Sequence, residues 1–208
     1  MPKKKNLYLM SDKKSALPQF IHTQFVEDVS LADEIIEFFH EHPYLHSKGR
    51  VLDTDGNCSH EVKKSTEIVI EDQLVCFPAF SELNRQVQIV LDEYLKIYPQ
   101  CDTLAKFVLV PYNIQYYKPG EGYLSWHYER TCGIEPLSSR VLAFMFYCHT
   151  IEKGGGTEFL HQDFTNKSEK GKVTIFPVDW TFTHKGVPSQ KEKMIVTGWW
   201  NFAQIQEK

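Results

Sequence analysis

Two patterns of apolar and polar residues divide this chain. Up to about residue 105 the apolar positions recur at helical spacing; from Phe107 onward they fall in short runs broken by glycine, proline or charged turns. In SLADEIIEFFHEH, Leu31, Ile35, Phe38 and Phe39 make one stripe, which predicts a helix capped by Ser30 and ended by Pro43. SELNRQVQIVLDEYLKIYP predicts a longer helix with Leu83, Val87, Val90, Leu91, Tyr94 and Leu95 on its buried side, stopped by Pro99. QFIHTQFV reads as a short strand ahead of both. The stretch from Tyr44 to Lys64 carries Gly49, Asp53, Asp55, Gly56 and Asn57, turn chemistry that predicts a surface excursion.

The second half reads as strands: FVLVPYNIQYY, YLSWHYE, RVLAFMFYCHTI, GTEFLH, KVTIFPV, WTFTH and KMIVTGWWNF. Strands without helices between them cannot build a parallel βαβ sheet. The predicted fold is therefore mostly β with N-terminal helices: a two-sheet jelly roll, the cupin-like double-stranded β-helix, with the helices packed on one sheet. With 208 residues and 42% hydrophobic content, the chain is read as one domain over 1–208. Its helical support would span about 1–105 and its jelly-roll core about 106–204.

Composition narrows the partners. A net charge of −4 gives no general attraction to phosphate backbones, despite the lysines of MPKKK, so nucleic acid is disfavoured. MPKKKNLYLMSDKKS has no sustained apolar stretch, so neither a secretory signal nor a membrane span is expected. Cys58, Cys76, Cys101, Cys132 and Cys148 are scattered, with no CxxC pair, which points to reduced thiols and a cytoplasmic protein.

The candidate chemistry centres on SWHYER. On a strand, His127 and Glu129 point to one face and can converge on one ion, with His184 approaching from another strand. Two histidines and one carboxylate suit Fe(II) and leave coordination positions open. His161 and Asp163 repeat the spacing, but sit in the polar loop HQDFTNKSEKG and are assigned to solvent. His40, His42 and His46 in HEHPYLH do not share a helix face, and Pro43 breaks their register, so a polar helix end is the better reading. HExxH, GxSxG and phosphate-binding glycine loops are absent. The run Gly154 to Gly156 is explained by a tight turn.

Read in order, IQYYKPGEGYLSWHYE, RVLAFMFYCHTIEKGGGTEF and HKGVPSQKEKMIVTGWW resemble the iron and 2-oxoglutarate dependent oxygenases of the prolyl 4-hydroxylase-like group, especially its small phage-encoded members. The likeness spans roughly Phe107 to Phe202. It implies that His127, Glu129 and His184 bind Fe(II), leaving positions for 2-oxoglutarate and O2, with ascorbate as a supporting reductant. Lys193 would match the family's basic residue and pair with the distal carboxylate of 2-oxoglutarate; a buried ammonium needs such an anion. Tyr147 would donate to the same carboxylate, and Tyr117, Thr197 and Trp199 would line the pocket. Lys191 is a weaker competitor, nearer the turn.

Two departures from the commonest family pattern stand out. Glu129 occupies a position where aspartate is usual, and Lys193 one where arginine is common. Glutamate adds one methylene and still reaches a metal if the backbone stands further off. Lysine offers a point charge in place of a fork, and so leans on Tyr147 and Thr197 for orientation.

Arg140 matches an arginine that some relatives use near substrate, with an ordinary salt bridge as the alternative. Trp126 and Arg130 either meet substrate or pack. Phe144, Phe146, Phe176, Phe182, Trp200 and Phe202 are read as core. The implied reaction is oxidative decarboxylation of 2-oxoglutarate to succinate and CO2, coupled to hydroxylation of an unactivated C–H bond. A prolyl or other amino-acid residue in a peptide is the leading substrate. A free amino acid, another small metabolite, nucleobase dealkylation and a non-catalytic jelly-roll binding protein are the alternatives. The last strands lack the paired arginines expected of nucleobase dealkylation. The sequence leaves the oligomeric state open.

Overall fold

The computed structural model describes residues 17–52, 58–59, 62–102 and 106–203. In chain order the elements are β1 (His22–Phe25), α1 (Leu31–Glu41), β2 (Ser47–Lys48), β3 (Val51–Leu52), β4 (Cys58–Ser59), β5 (Thr66–Ile70), α2 (Pro78–Ile97), β6 (Phe107–Leu109), β7 (Tyr112–Tyr117), β8 (Arg140–Tyr147), β9 (Thr157–Phe159), β10 (Phe164–Asn166), β11 (Lys172–Pro177), β12 (His184–Gly186) and β13 (Lys193–Phe202), with short 3₁₀ turns between some of them. The strands form an eight-stranded sheet in the order β1-β11-β8-β13-β7-β5-β2, with β6 paired to β13, and a three-stranded sheet, β10-β9-β12. Every pairing is antiparallel. This is the predicted jelly roll.

Strand alternation sorts the core into two layers. Phe144 and Phe146 of β8, and Met194, Val196 and Trp200 of β13, face outward and pack with Ile35, Phe39, Phe80, Leu83 and Val87 of the two helices. Ala143, Met145 and Tyr147, with Ile195 and Trp199, face inward and meet Phe159, Phe176 and Phe182 between the sheets. Strand β13 is central to both, because it pairs with β8 from Ile195 to Asn201 and with β7 from Lys193 to Thr197. Gly198 permits this packing: a Cβ there would lie 2.3 Å from Phe144 Cε1 and 2.7 Å from the Cβ of Tyr112.

The structure departs from the sequence reading at several places. Ser30 makes no side-chain cap on α1; instead the Asp28 carboxylate accepts from the Ser30 N–H at 2.8 Å, which secures the turn just before the helix. YLSWHYE is not a continuous strand: it makes two isolated bridges, Tyr123 to Lys63 and His127 to His184. WTFTH begins as a 3₁₀ turn, Trp180–Phe182, in which the Thr181 N–H donates to the Asp179 carboxylate at 3.0 Å, and only then becomes β12. The N-terminal half is more than helical support: β1, β2 and β5 are strands of the large sheet. Among the described residues, no helix is long and apolar enough to cross a membrane.

Candidate metal centre and cosubstrate pocket

The fold brings His127, Glu129 and His184 together, with one ligand atom from each lying within 4.8 Å of the others; among the described residues this is the one such group. Backbone pairing holds them there. The N–H of His127 donates to the carbonyl of His184 at 2.9 Å, that of His184 donates back at 2.8 Å, and the N–H of Glu129 donates to Val178 at 3.0 Å. The stretch is therefore extended locally, and residues two apart do share a face.

The tautomers follow from hydrogen bonding. His127 Nδ1 lies 2.8 Å from the carbonyl of Ser125, and His184 Nδ1 lies 2.9 Å from that of Phe182. A carbonyl only accepts, so each Nδ1 carries the proton and each Nε2 presents a bare lone pair. Glu129 Oε1 lies 3.8 Å from Nε2 of His127 and 3.4 Å from Nε2 of His184. His184 Nε2 is buried without a hydrogen-bond partner. Three lone pairs thus converge with no proton between them, the donor set a divalent cation satisfies. Burial, with the neighbouring imidazole second, lowers the His127 pKa to about 3, so it is neutral at ordinary pH. Burial pushes the Glu129 carboxyl up, but His184, His127 and Arg140 outweigh it and hold the group well below the usual carboxylate range.

The other carboxylate oxygen is engaged elsewhere. Glu129 Oε2 accepts from Trp199 Nε1 at 3.1 Å and from Arg140 Nη1 at 3.3 Å. Arg140 also donates to the Glu129 carbonyl at 3.0 Å, and its guanidinium stacks 3.7 Å from the centre of the Trp199 ring. On the opposite side, Tyr123 stacks on His127 at 3.5 Å with an interplanar angle of 9°.

The triad lies in a cavity of about 850 Å³, which Tyr117, Lys193, Thr197 and Trp199 also line. Lys193 is 5% exposed, and its ammonium has no ion-pair partner among the described residues; it lies over the Tyr117 ring, 4.8 Å from the ring centre. Burial lowers its pKa to about 8. The Tyr117 hydroxyl donates to Gln115 at 2.7 Å, and the Thr197 hydroxyl is buried without a partner.

Other predicted positions fall differently. Tyr147 does not line the cavity: its hydroxyl lies 2.9 Å from Thr157 Oγ1 and accepts from Asn166 Nδ2 at 3.1 Å, while Thr157 itself reaches the cavity. Trp126 is half out in solvent under the Lys185 ammonium, 4.2 Å from its ring centre, and Arg130 donates to the Arg140 carbonyl. Neither lines the cavity. Lys191, His161 and Asp163 are exposed. His42 and His46 stack on Phe38 and Phe39, each at 4.1 Å, away from any metal cluster among the described residues.

Sequence reasoning missed the buried ion pair of Lys63 with Glu67, 2.5 Å apart on the cavity wall, and the Tyr123 stack. The aromatic preceding HxE within one extended run was a usable signal for Tyr123. For Lys63 there was none, since four-residue spacing suggests a helix and this segment runs into a strand.

The sequence profile of the 2OG-Fe(II) oxygenase superfamily matches residues 112–201, which include all three triad residues and Lys193. Among curated proteins, none matches the chain in sequence. Solved structures share the fold. The viral collagen prolyl hydroxylase of Paramecium bursaria Chlorella virus-1, in its 2OG complex, superposes with a TM-score of 0.65 at 20% identity, over 89% of this chain and 97% of that one. A prolyl-4-hydroxylase from Pseudomonas putida gives 0.66 at 14% identity, over 89% and 94%. A Trichoplax adhaerens prolyl hydroxylase, in complex with a hypoxia inducible factor peptide fragment, gives 0.64 at 13% identity, over 88% and 83%.

Proposed function

We propose, for a chain whose residues 112–201 are those of a 2OG-Fe(II) oxygenase, that it hydroxylates a prolyl residue within a peptide, with Fe(II) held by His127, Glu129 and His184 and 2-oxoglutarate held by Lys193. The observation that carries this reading is the Lys193 ammonium, buried in the wall of the cavity that the triad lines, with no ion-pair partner among the described residues. Such a group is costly unless a ligand completes it. A dicarboxylate bound in the cavity that Lys193 and the triad share would do so.

When bound, iron with 2-oxoglutarate and O2 supplies the oxidation of an unactivated C–H bond, releasing succinate and CO2. The chain's own residues bind and orient. The two Nδ1–H groups, fixed on backbone carbonyls, aim Nε2 of His127 and His184 at the ion. Thr197 offers its unpartnered hydroxyl, and Tyr117 its ring, to the cosubstrate. Trp199 closes the wall beside Glu129, and Tyr147 acts from behind through Thr157. The cavity exceeds what one small diacid fills, and its wall also includes Lys48, Arg50, Val51, Thr131, Pro136 and Leu137. A peptide segment fits such a cleft, and the structural neighbours named above are prolyl hydroxylases.

The test begins with anaerobic addition of Fe(II) and then 2-oxoglutarate, following the visible absorption of the chelate. O2 is then admitted, and succinate is measured with a proline-rich peptide, with free proline and with neither. The reading expects a chelate band and peptide-dependent succinate with a mass gain of one oxygen on the peptide. Iron-replete protein without the band would overturn the cosubstrate assignment. Turnover stimulated by free proline alone would overturn the peptide.

A further inference from the structure

We propose that Arg140, braced on Trp199, is the positioning residue that allows a glutamate to serve as the third metal ligand; this rests on the metal-site reading above. Glutamate has one more rotor than aspartate and a carboxylate that can turn both oxygens toward an ion. Bidentate binding would occupy a coordination position that cosubstrate or O2 requires. The structure shows what prevents it.

Oε2 of Glu129 already has two donors, Trp199 Nε1 at 3.1 Å and Arg140 Nη1 at 3.3 Å, which together occupy the lone pairs that would face a metal. Oε1 alone remains on the side of His127 and His184. The same Arg140 Nη1 donates to the Glu129 carbonyl at 3.0 Å. One nitrogen with two hydrogens therefore clasps the backbone and the carboxylate of a single residue and fixes the length of side chain between them. The guanidinium itself lies over the Trp199 ring, its central carbon 3.7 Å from the ring centre, and Trp199 belongs to the same strand as Lys193. A lysine at 140 could neither stack this way nor span both acceptors with comparable geometry.

The decisive experiment uses Co(II) as a spectroscopic probe, without 2-oxoglutarate or O2, in wild-type protein and in Arg140→Met, Arg140→Lys and Trp199→Phe. Wild-type protein that binds no Co(II) would overturn the metal site itself, independently of the brace. With Co(II) bound, Arg140→Met is expected to lower affinity by roughly tenfold to a hundredfold, the usual consequence of losing a residue that orients a ligand, and to alter the visible d–d bands as Glu129 turns. Arg140→Lys should recover little of either. Trp199→Phe keeps the ring but removes one Oε2 donor, so a smaller shift of the same bands is expected; it decides the matter should Arg140→Met not fold. Wild-type affinity and spectrum in folded Arg140→Met, or in Trp199→Phe where that variant alone folds, would overturn the brace.

Discussion

The Lys193 ammonium lies 4.8 Å from the centre of the Tyr117 ring, and among the described residues no carboxylate comes within ion-pairing distance of it. A π face compensates a desolvated cation only in part. Removing the charge should therefore help the protein that has no ligand and harm the one that does. Lys193→Met is expected to raise the stability of the ligand-free protein by ~3 kcal/mol near neutral pH, the scale implied by a pKa displaced from 10.5 to about 8. Urea unfolding measures it; a destabilised Lys193→Met would show that the ammonium has a partner.

The same variant should weaken 2-oxoglutarate by about a hundredfold, the scale for truncating one member of a desolvated charge pair, while Fe(II) or Co(II) affinity stays within a few-fold of wild type. Isothermal titration separates the two. Loss of metal instead would mean that Lys193 supports the triad.

The charge on Lys193 also sets a pH dependence. Below about pH 8 the free pocket is protonated, and affinity for the dianion is flat; above it a proton must be taken up on binding, so affinity falls by up to tenfold per pH unit until the pKa of the bound state is reached. Stability of the ligand-free protein moves the other way. Between about pH 8 and 10.5 the unfolded chain holds more protons at this site, so this contribution to stability rises with pH. Lys193→Arg should flatten the affinity profile. Wild-type affinity constant from pH 7 to 9.5 would contradict the assignment.

Tyr147 offers a separate test of where its hydroxyl is used. Tyr147→Phe leaves Asn166 with Thr174 as its remaining side-chain partner and Thr157 with only the Met145 sulfur, so a stability loss of ~1–2 kcal/mol is expected. The affinity for 2-oxoglutarate should change only a few-fold. A hundredfold loss would place the hydroxyl on the cosubstrate.

Gly198→Ala should destabilise by ~2–3 kcal/mol, because the added methyl meets the Phe144 ring in a layer with no slack. Thermal unfolding of the metal-free protein checks this without involving the site.

Much of this architecture was legible in the sequence where the period is sustained. The stripes of α1 and α2, and the runs that became β7, β8, β11 and β13, contain enough repeats to declare their faces. β5 was not, since five residues between a turn-rich stretch and a helix show no period, and Ile68 and Ile70 are buried through pairing with β7, distant in the chain. His127, Glu129, His184 and Lys193 could be read because ligand types and strand alternation are local properties. The grip of Arg140 on Glu129 could not, because it depends on how an irregular stretch brings Glu129 back to the first residue of β8. Tyr147 shows the opposite error: its inward direction follows from alternation, but its hydroxyl is intercepted by Thr157 and Asn166, whose proximity no local pattern reveals.

The reciprocal pair of main-chain hydrogen bonds between His127 and His184 means that two of the three proposed metal ligands are spaced by the polypeptide itself. Folding should therefore finish before iron arrives, and chelators should strip and replace the metal without melting the protein. Loss of iron would then idle the enzyme reversibly, with no refolding needed to restart it.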